Sequence, residues 1–373
     1  MQKTSLTAAI PFWISLTLVC VVILSGYLGG WWMLLTPAYT FWGMAVIDRF
    51  VGVELNDKDP DTPDDQLFWY RLLTFIWFPI ELVMIYGSIA FVANSDHLQG
   101  QEKWWFLASV GLVSGAVGIV YAHELMHQKS KFERHLGDGL MALVLYSHFR
   151  SEHLLVHHKY VGTPKDAVTA HYNEGFHRFF PRVLHQCVSS AWHAEKAMLA
   201  RKKLTVFHRS NPFWKYAVLQ ILFLMIAVAV AGWFGLGLFV VQAFVAVILL
   251  EGTNYVEHYG LTRKYLGDGK YEHVKPHHSW NSAYKVTNYL LINLQRHSDH
   301  HYKPNRRYPL LQNHPEEDAP QLPRGYTLMV AAALFPPLWK KIMNPRVRAW
   351  RKQFYPEIED WKAYNKASNP QPK

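Results

Sequence analysis

The stretch that decides the fold is LGLFVVQAFVAVILLEGTNY, residues 236–255. Glu251 is its only charged residue, and its length matches the roughly 20 residues that a helix needs to cross a bilayer. Five further runs of this kind make an all-α fold the expectation, with a six-helix transmembrane bundle at its centre. The predicted spans are 10–28, 31–47, 72–93, 104–122, 216–233 and 236–255.

The distribution of Lys and Arg predicts how the bundle is oriented. Positive residues collect in cytoplasmic loops, and with the N-terminus inside, the outer loops contain only Lys103. We therefore predict that residues 1–373 form a single integral-membrane catalytic domain with a cytoplasmic helical cap. The cap comprises residues 123–215 and 258–345, and residues 365–373 have the composition of a linker. We interpret the acid-rich loop 48–70 as a solvated connection.

Cysteines and net charge exclude several classes of protein. Cys20 and Cys187 form no CxxC pair, which excludes a disulfide framework and a thiolate iron–sulfur site in this chain. The formal net charge is +10. It fits attraction to anionic membrane lipid and docking of an acidic soluble partner equally well. No basic stretch is interleaved with surface aromatics, so no nucleic acid is expected.

Three histidine clusters carry the predicted chemistry: HELMH at 123–127, HLLVHH at 153–158 and HSDHH at 297–301. Steps of three or four residues place imidazoles on one face of a helix. Eight imidazoles exceed what one metal ion needs and match two ions that share a site. HELMH alone also matches the HExxH motif of zinc metalloproteases, but that interpretation leaves two clusters unexplained. The eight candidates are His123, His127, His153, His157, His158, His297, His300 and His301.

Carboxylates beside these histidines are candidates for supporting the metal ligands, because a ligating imidazole usually donates its other N–H to an acid or a carbonyl. Each of these acids is equally compatible with a solvated position on the reverse face of its helix. A bridging carboxylate ligand also remains open. The adjacent acids are Glu124, Glu152, Glu257 and Asp299, and the further histidine candidates are His148, His277 and His278.

Longer strings around the clusters carry a family resemblance. They are NYVEHYGL at 254–261, LQRHSDHHYKPNRRYPLL at 294–311, PHHSWNS at 276–282 and TPKDA at 163–167. The chain resembles, over essentially its whole length, the AlkB-type integral-membrane alkane 1-monooxygenases. These belong to a histidine-box superfamily that includes membrane fatty-acid desaturases and hydroxylases. The chain departs from the usual boxes at Gln128, where Lys is usual, and at Val156, where Gly is usual.

The resemblance implies two non-haem iron ions, with His258 as a ninth ligand. Glu251 is a further candidate to support the site, because it is an acid within a predicted span and lies about two helical turns before His258. The resemblance also implies terminal hydroxylation of medium- or long-chain n-alkanes to 1-alkanols with O2. The two electrons would come from rubredoxin and its NAD(P)H-dependent reductase, since no flavin, haem or iron–sulfur motif is present. Rubredoxin would be a separate protein or a domain fused beyond Lys373.

The remaining expectations concern partners and location. A basic group at the third cluster is the predicted docking surface for rubredoxin, and Trp42 is the predicted residue of the substrate channel. The enzyme would lie in the bacterial cytoplasmic (inner) membrane, with its active site on the cytoplasmic side. A related desaturase, fatty-acid hydroxylase or other hydrocarbon monooxygenase is the enzymatic alternative, and a membrane metal transporter is the non-enzymatic one. The docking group is Arg296, Lys303, Arg306 and Arg307.

Overall fold

A computed structural model describes residues 5–365 of the chain, and most of them are helical. The only described strands, Tyr265–Gly267 and Lys270–Tyr271, pair in antiparallel fashion. The helical segments are Leu6–Leu28, Gly30–Leu34, Leu35–Pro37, Ala38–Gly43, Met44–Val51, Asp64–Asn94, Glu102–Met126, Lys131–Leu143, Phe149–Glu152, His153–His157, His158–Tyr160, Phe176–Arg201, Pro212–His258, Pro276–His278, Lys285–Leu290, His297–Tyr302, Tyr308–Leu310, Tyr326–Ala333 and Pro336–Phe354.

Among the described residues, four helices are long and apolar enough to cross a membrane: Leu6–Leu28, Asp64–Asn94, Glu102–Met126 and Pro212–His258. The predicted second span, 31–47, is helical but is not among the four. Its Trp, Tyr, Thr and Pro residues lower its mean hydropathy, and it winds partly as a π-helix over Ala38–Gly43. The predicted fifth and sixth spans both lie within Pro212–His258.

Pro212–His258 folds back on itself. Its helical geometry breaks at Ala231 and at Gly232, which adopts a positive φ of 60° that a side chain would strain. Both ends of the segment reach the same region of the molecule: the Tyr216 hydroxyl lies 2.9 Å from Ser151, and the His258 ring centroid lies 4.8 Å from that of His157. The 47 residues therefore form two antiparallel helices that return to the histidine clusters.

Two glycines allow the second half of this hairpin to pack tightly against Glu102–Met126. A Cβ atom at Gly111 would lie 2.2 Å from the carbonyl oxygen of Gln242, and one at Gly115 would lie 2.9 Å from the Cα of Ala246. Small residues four apart let helix backbones approach closely in membranes. The contact fixes the helix carrying His123 against the helix carrying His258.

The acid run of the loop 48–70 is exposed, as predicted, but the loop also makes fixed contacts with the C-terminal part of the chain. Asp48 is buried and accepts hydrogen bonds from the backbone N–H groups of Val286 and Thr287 at 2.6 and 3.3 Å. Asp57 and Asp64 form ion pairs with arginines near the third histidine cluster. The loop therefore ties the N-terminal helices to the C-terminal part of the chain.

Candidate metal centre

The first histidine group lies around the C-terminal end of the helix Glu102–Met126. The Nε2 atom of His153 lies 2.9 Å from that of His123, 3.0 Å from that of His127 and 3.0 Å from that of His158. His300 joins from the third cluster, with its Nε2 3.2 Å from that of His158. Five imidazole nitrogens from all three sequence clusters thus converge on one point.

The second histidine group lies directly beside the first. The Nε2 atom of His297 lies 3.2 Å from that of His258 and 3.0 Å from that of His301. His157 completes the group, since a ligating nitrogen of each of the four lies within 4.8 Å of the others. All four side chains are buried. The structure therefore brings together all nine histidines singled out from the sequence, as one group of five and one of four.

The second sequence cluster divides between the two groups because of its helix geometry. We expected His153 and His157, four residues apart, to share one face. Instead, His153–His157 is a π-helical turn, in which the i→i+5 repeat replaces i→i+4. His153 therefore aligns with His158 in the first group, and His157 points into the second. π turns often mark functional sites, and here one turn supplies imidazoles to both histidine groups.

The donor set fits metal ions better than it fits hydrogen bonds. A ring nitrogen makes one hydrogen bond along its in-plane direction, yet the Nε2 atom of His153 faces three other Nε2 atoms within 3.0 Å. With a metal–nitrogen bond of about 2.1 Å, ligands at right angles lie about 3.0 Å apart and tetrahedral ones about 3.4 Å. The Nε2 of His157 is buried without a partner among the described residues, as expected of an atom reserved for a metal ion.

Burial favours the neutral form that metal ligation requires at three of these imidazoles. It lowers the pKa of His153, His158 and His301 well below the ordinary value of 6.5, and the neighbouring histidines lower it further, because several positive rings cannot share one buried space. Neutral imidazole suits iron, zinc and copper. The chemistry of the two groups is therefore that of metal binding, not of proton transfer by the histidines.

Two hydrogen bonds fix the ring orientation of two histidines in the second group through their Nδ1 atoms. The Nδ1 of His157 donates to Asp166 at 3.0 Å, and the Nδ1 of His258 donates to the backbone carbonyl of His278 at 3.2 Å. Such partners set the tautomer and leave Nε2 free for the metal. Sequence reasoning missed Asp166, although it lies in the TPKDA string that contributed to the resemblance.

Of the five acids predicted to support the ligands, only Glu257 lies beside a ligand imidazole, with its Oε1 3.4 Å from the Nδ1 of His297. Asp299 instead pairs with Arg306, and Glu251 accepts from Tyr146 and Asn254. The nearest described partner of Glu124 is Gln128, at 3.0 Å. Both carboxylate oxygens of Glu152 are buried without a hydrogen-bond partner among the described residues, and burial raises the pKa of Glu152.

Three of the four predicted docking cations form internal ion pairs. Arg296 pairs with Asp57 at 2.9 Å and is only 5% exposed. Arg307 pairs with Asp64 and with Glu133 and is 7% exposed. Arg306, as noted above, pairs with Asp299. An acidic partner cannot reach such groups without breaking these pairs, so Lys303 alone remains available.

The predicted channel residue Trp42 is 54% exposed and does not line the cavity beside the metal groups. Its neighbour Phe41 lines an adjoining cavity, which shares Gly115, Val120, Thr253 and Leu294 with the cavity beside the histidines. The π-helical turn Ala38–Gly43 carries both residues and orients Phe41 inward, an arrangement that the sequence pattern did not indicate.

Comparisons with known proteins agree with this geometry. Residues 102–333 match the family described as fatty acid desaturase. The chain is 37% identical over 353 residues to alkane 1-monooxygenase 2 of Pseudomonas aeruginosa, covering 91% of this chain and 92% of the relative. It is 39% identical to alkane 1-monooxygenase 1 of the same organism, covering 86% and 87%. It is 38% identical to alkane 1-monooxygenase 2 of Alcanivorax borkumensis, covering 86% and 84%.

Proposed function

The chain belongs to the fatty acid desaturase family and, within it, to the alkane 1-monooxygenases, and from this premise we propose how its site works. It hydroxylates n-alkanes at the terminal carbon with O2. Two non-haem irons occupy the site, one held by His123, His127, His153, His158 and His300 and the other by His157, His258, His297 and His301. When bound, the irons supply the O2 activation that an unactivated C–H bond requires.

The observation that carries this proposal is a mostly apolar cavity that opens on both histidine groups. His123 and His153 of the first group and His297 of the second line it together. The other walls include the apolar side chains of Ile119, Val120, Phe149, Leu250 and Leu294, and Thr253, Asn254 and Glu257 add three polar side chains. A hydrocarbon chain end would therefore meet the space between the two groups.

The residues of this chain bind and orient the substrate and exclude water. A second cavity shares Gly115, Val120, Thr253 and Leu294 with the first and continues to Phe41 and Tyr326. We propose that the two, each of about 30 Å³, join when their walls move apart into a narrow passage that admits an extended chain only end-on. An alkane offers no polar group to hold, so the passage determines that the terminal carbon is the one presented.

The electron donor docks where the metal groups come nearest to solvent. His158 is partly exposed, and the chain leaves the two clusters through the exposed Lys159 and Lys303. Tyr302, 58% exposed, lies beside Lys303. The donor that we propose is rubredoxin, reduced by its NAD(P)H-dependent reductase. Its acidic surface complements these lysines, and electrostatic complementarity of this kind mainly accelerates association.

Charge reversal tests this docking surface. In the Lys159→Glu/Lys303→Glu variant, the KM for rubredoxin should rise about tenfold at low salt, whereas kcat with saturating donor should be retained. Lys103→Glu is the control, because Lys103 lies at the opposite end of Glu102–Met126, about 30 Å from His123 at 1.5 Å per residue. An unchanged KM and salt dependence in the double variant would remove this surface from the proposal.

The proposed topology has six spans, with residues 30–51 and the two halves of Pro212–His258 completing the set. The enzyme lies in the bacterial cytoplasmic membrane with its histidine groups on the cytoplasmic side. Supporting this orientation, the polar segments that follow Met126 and His258 carry most of the positive charge and lie at the end of the molecule that holds both groups.

Product analysis with purified components tests the function. The protein, supplied with rubredoxin, its reductase, NADH, O2 and octane, should yield 1-octanol, and the His297→Ala variant should yield none. An unsaturated product would instead indicate a desaturase.

The proposed passage predicts a change in chain-length preference. Phe41→Ala should shift the preferred alkane toward longer chains, whereas Trp42→Ala should not. An equal shift in both variants would contradict the assignment of Phe41.

A further inference from the structure

A third cluster of ligand-type side chains lies outside the two histidine groups. It consists of Glu272, His277, His278 and Tyr355. Glu272 directly follows the two-stranded sheet, the two histidines belong to the turn Pro276–His278, and Tyr355 directly follows the helix Pro336–Phe354. The Tyr355 hydroxyl lies 3.0 Å from the Nε2 of His277 and 2.6 Å from the Nε2 of His278, and it donates to Glu272. His278 and Tyr355 are buried.

The protons of this cluster can be assigned from its contacts. The Nδ1 of His278 accepts from the backbone N–H of Lys275 at 2.9 Å, so that nitrogen carries no proton. An imidazole with no proton on Nδ1 is neutral. The one proton of the His278 ring therefore lies on Nε2 and is donated to the Tyr355 hydroxyl.

This assignment engages the Nε2 atoms of both imidazoles and both carboxylate oxygens in hydrogen bonds. The Tyr355 oxygen accepts from both imidazoles through its two lone pairs and gives its own proton to the Glu272 carboxylate. Lys275 satisfies the other carboxylate oxygen at 2.7 Å. A metal bound at the Nε2 of His278 would require the proton to move to Nδ1. There it would point at the backbone N–H of Lys275, and two donors would face each other. The cluster is a closed hydrogen-bonded network.

The network leads to the second metal group through one backbone atom. The carbonyl oxygen of His278 accepts the Nδ1–H of His258, which orients the Nε2 of His258 toward His297 at 3.2 Å. The indole of Trp350 holds the preceding carbonyl, that of His277, at 2.7 Å. The position of the His278 carbonyl thus depends on side chains from the last long helix, almost 80 residues further along the chain.

We infer that Tyr355 is a positioning residue for the second metal group: it fixes the His278 ring, the ring fixes the turn 276–278, and the carbonyl of that turn orients His258. The inference rests on the proposed role of His258 as an iron ligand. It assigns to the helix Pro336–Phe354 and the residue after it a function in metal binding, although no residue there approaches a metal group among the described contacts.

Tyr355→Phe tests the inference, because it removes one hydroxyl and leaves the ring in place. Tyr364→Phe is the matched control: Tyr364 is a buried tyrosine of the same terminal segment, but its hydroxyl accepts only from the backbone N–H of Tyr265, at 3.3 Å. The measurements are iron per chain, the rate of iron loss to a chelator, and Mössbauer spectra of the protein loaded with 57Fe.

In Tyr355→Phe, one of the two irons should be lost about tenfold faster than in the parent, the lower end of the effect of changing a ligand's outer partners. The Mössbauer signal of that iron should change, the other iron should be unaffected, and Tyr364→Phe should match the parent in both measurements. Glu272→Gln, which keeps the shape of the side chain, should show the same selective effect and serves if Tyr355→Phe does not fold.

Two outcomes would overturn the inference. One is parental iron loss and spectra in both Tyr355→Phe and Glu272→Gln. The other is a third metal ion in the parent that Tyr355→Phe removes, which would make the cluster a metal site. A parent protein that binds no iron would instead refute the proposed function, so the two failures are distinguishable.

Discussion

Asp166→Asn should weaken metal binding at the second histidine group while leaving the fold intact. The carboxylate of Asp166 makes three hydrogen bonds. Its Oδ2 accepts from His157 at 3.0 Å and from the Thr169 hydroxyl at 2.6 Å, and its Oδ1 accepts from the Val168 N–H at 3.2 Å. All three partners donate, so the carboxylate cannot be replaced by a group that has only one acceptor oxygen without loss.

The size of the effect follows from the two orientations that an asparagine can take. With its oxygen toward His157, its amide N–H groups face the Val168 N–H, and two donors meet. With the amide reversed, its N–H groups face the Nδ1 of His157. That nitrogen must then accept, so the proton of the ring moves to Nε2, and a protonated Nε2 cannot bind a metal. A buried unsatisfied donor costs about 1–3 kcal/mol. Since 1.4 kcal/mol is tenfold, we expect a loss of about 10- to 100-fold in affinity, which agrees with the usual effect of changing a ligand's partner.

The assay is competition for iron against a chelator of known affinity, with thermal unfolding measured in parallel. Asp48→Asn is the control, because Asp48 is a buried carboxylate whose hydrogen-bond donors belong to Val286 and Thr287 and include no histidine. It should lower stability without changing iron affinity. The reasoning would be refuted if Asp166→Asn bound two irons with parental affinity, or if both variants lost iron in proportion to their loss of stability.

Two further predictions concern the scaffold. Gly111→Ala should destabilise the protein by about 1–3 kcal/mol, because its new methyl group would lie 2.2 Å from the Gln242 carbonyl oxygen; thermal unfolding in detergent measures this, and Gly87→Ala, with no atom within 4 Å, should be neutral or stabilising. Arg307→Met should cost about 3–5 kcal/mol by the same measurement, because it leaves Glu133, which is fully buried, without one of its two arginine partners. A change below 1 kcal/mol in either variant would contradict the packing or the ion-pair argument.

Apolar runs and histidine spacing carried much of the prediction. Helical structure, membrane-spanning segments and an alkane-monooxygenase assignment all followed from local patterns or from long matching strings, and the comparisons confirm the family. The same patterns singled out the nine histidines that the structure gathers into two groups, because a run of imidazoles at helical spacing has few other purposes. The number of spans was harder to derive, since the aromatic residues of 31–47 weaken its hydropathy signal.

The features that the sequence could not predict depend on the direction of a single side chain in a helix or on a single hydrogen bond to the backbone. Ordinary helical spacing assigns His153 and His157 to one face, and only the π turn separates them. The Ala38–Gly43 turn likewise orients Phe41, not Trp42, toward the cavity. Contacts through backbone carbonyls, such as that between His258 and His278, have no sequence signal, because every residue carries a carbonyl.

The cations near the third cluster show why a count of charges does not locate a binding surface. The segment KPNRR has three positive residues in a row of five, but its two arginines lie against acids from elsewhere in the chain: Asp64 and Glu133 for Arg307 and Asp299 for Arg306. These pairs draw the loop 48–70, the helix Lys131–Leu143 and the third histidine cluster together, and so they stabilise the site from outside. A partner that competed for those arginines would loosen the segment that carries three of the proposed metal ligands. The docking that we propose therefore uses cations without such a role, and Lys159 and Lys303, exposed at the ends of two histidine-bearing segments, meet this condition.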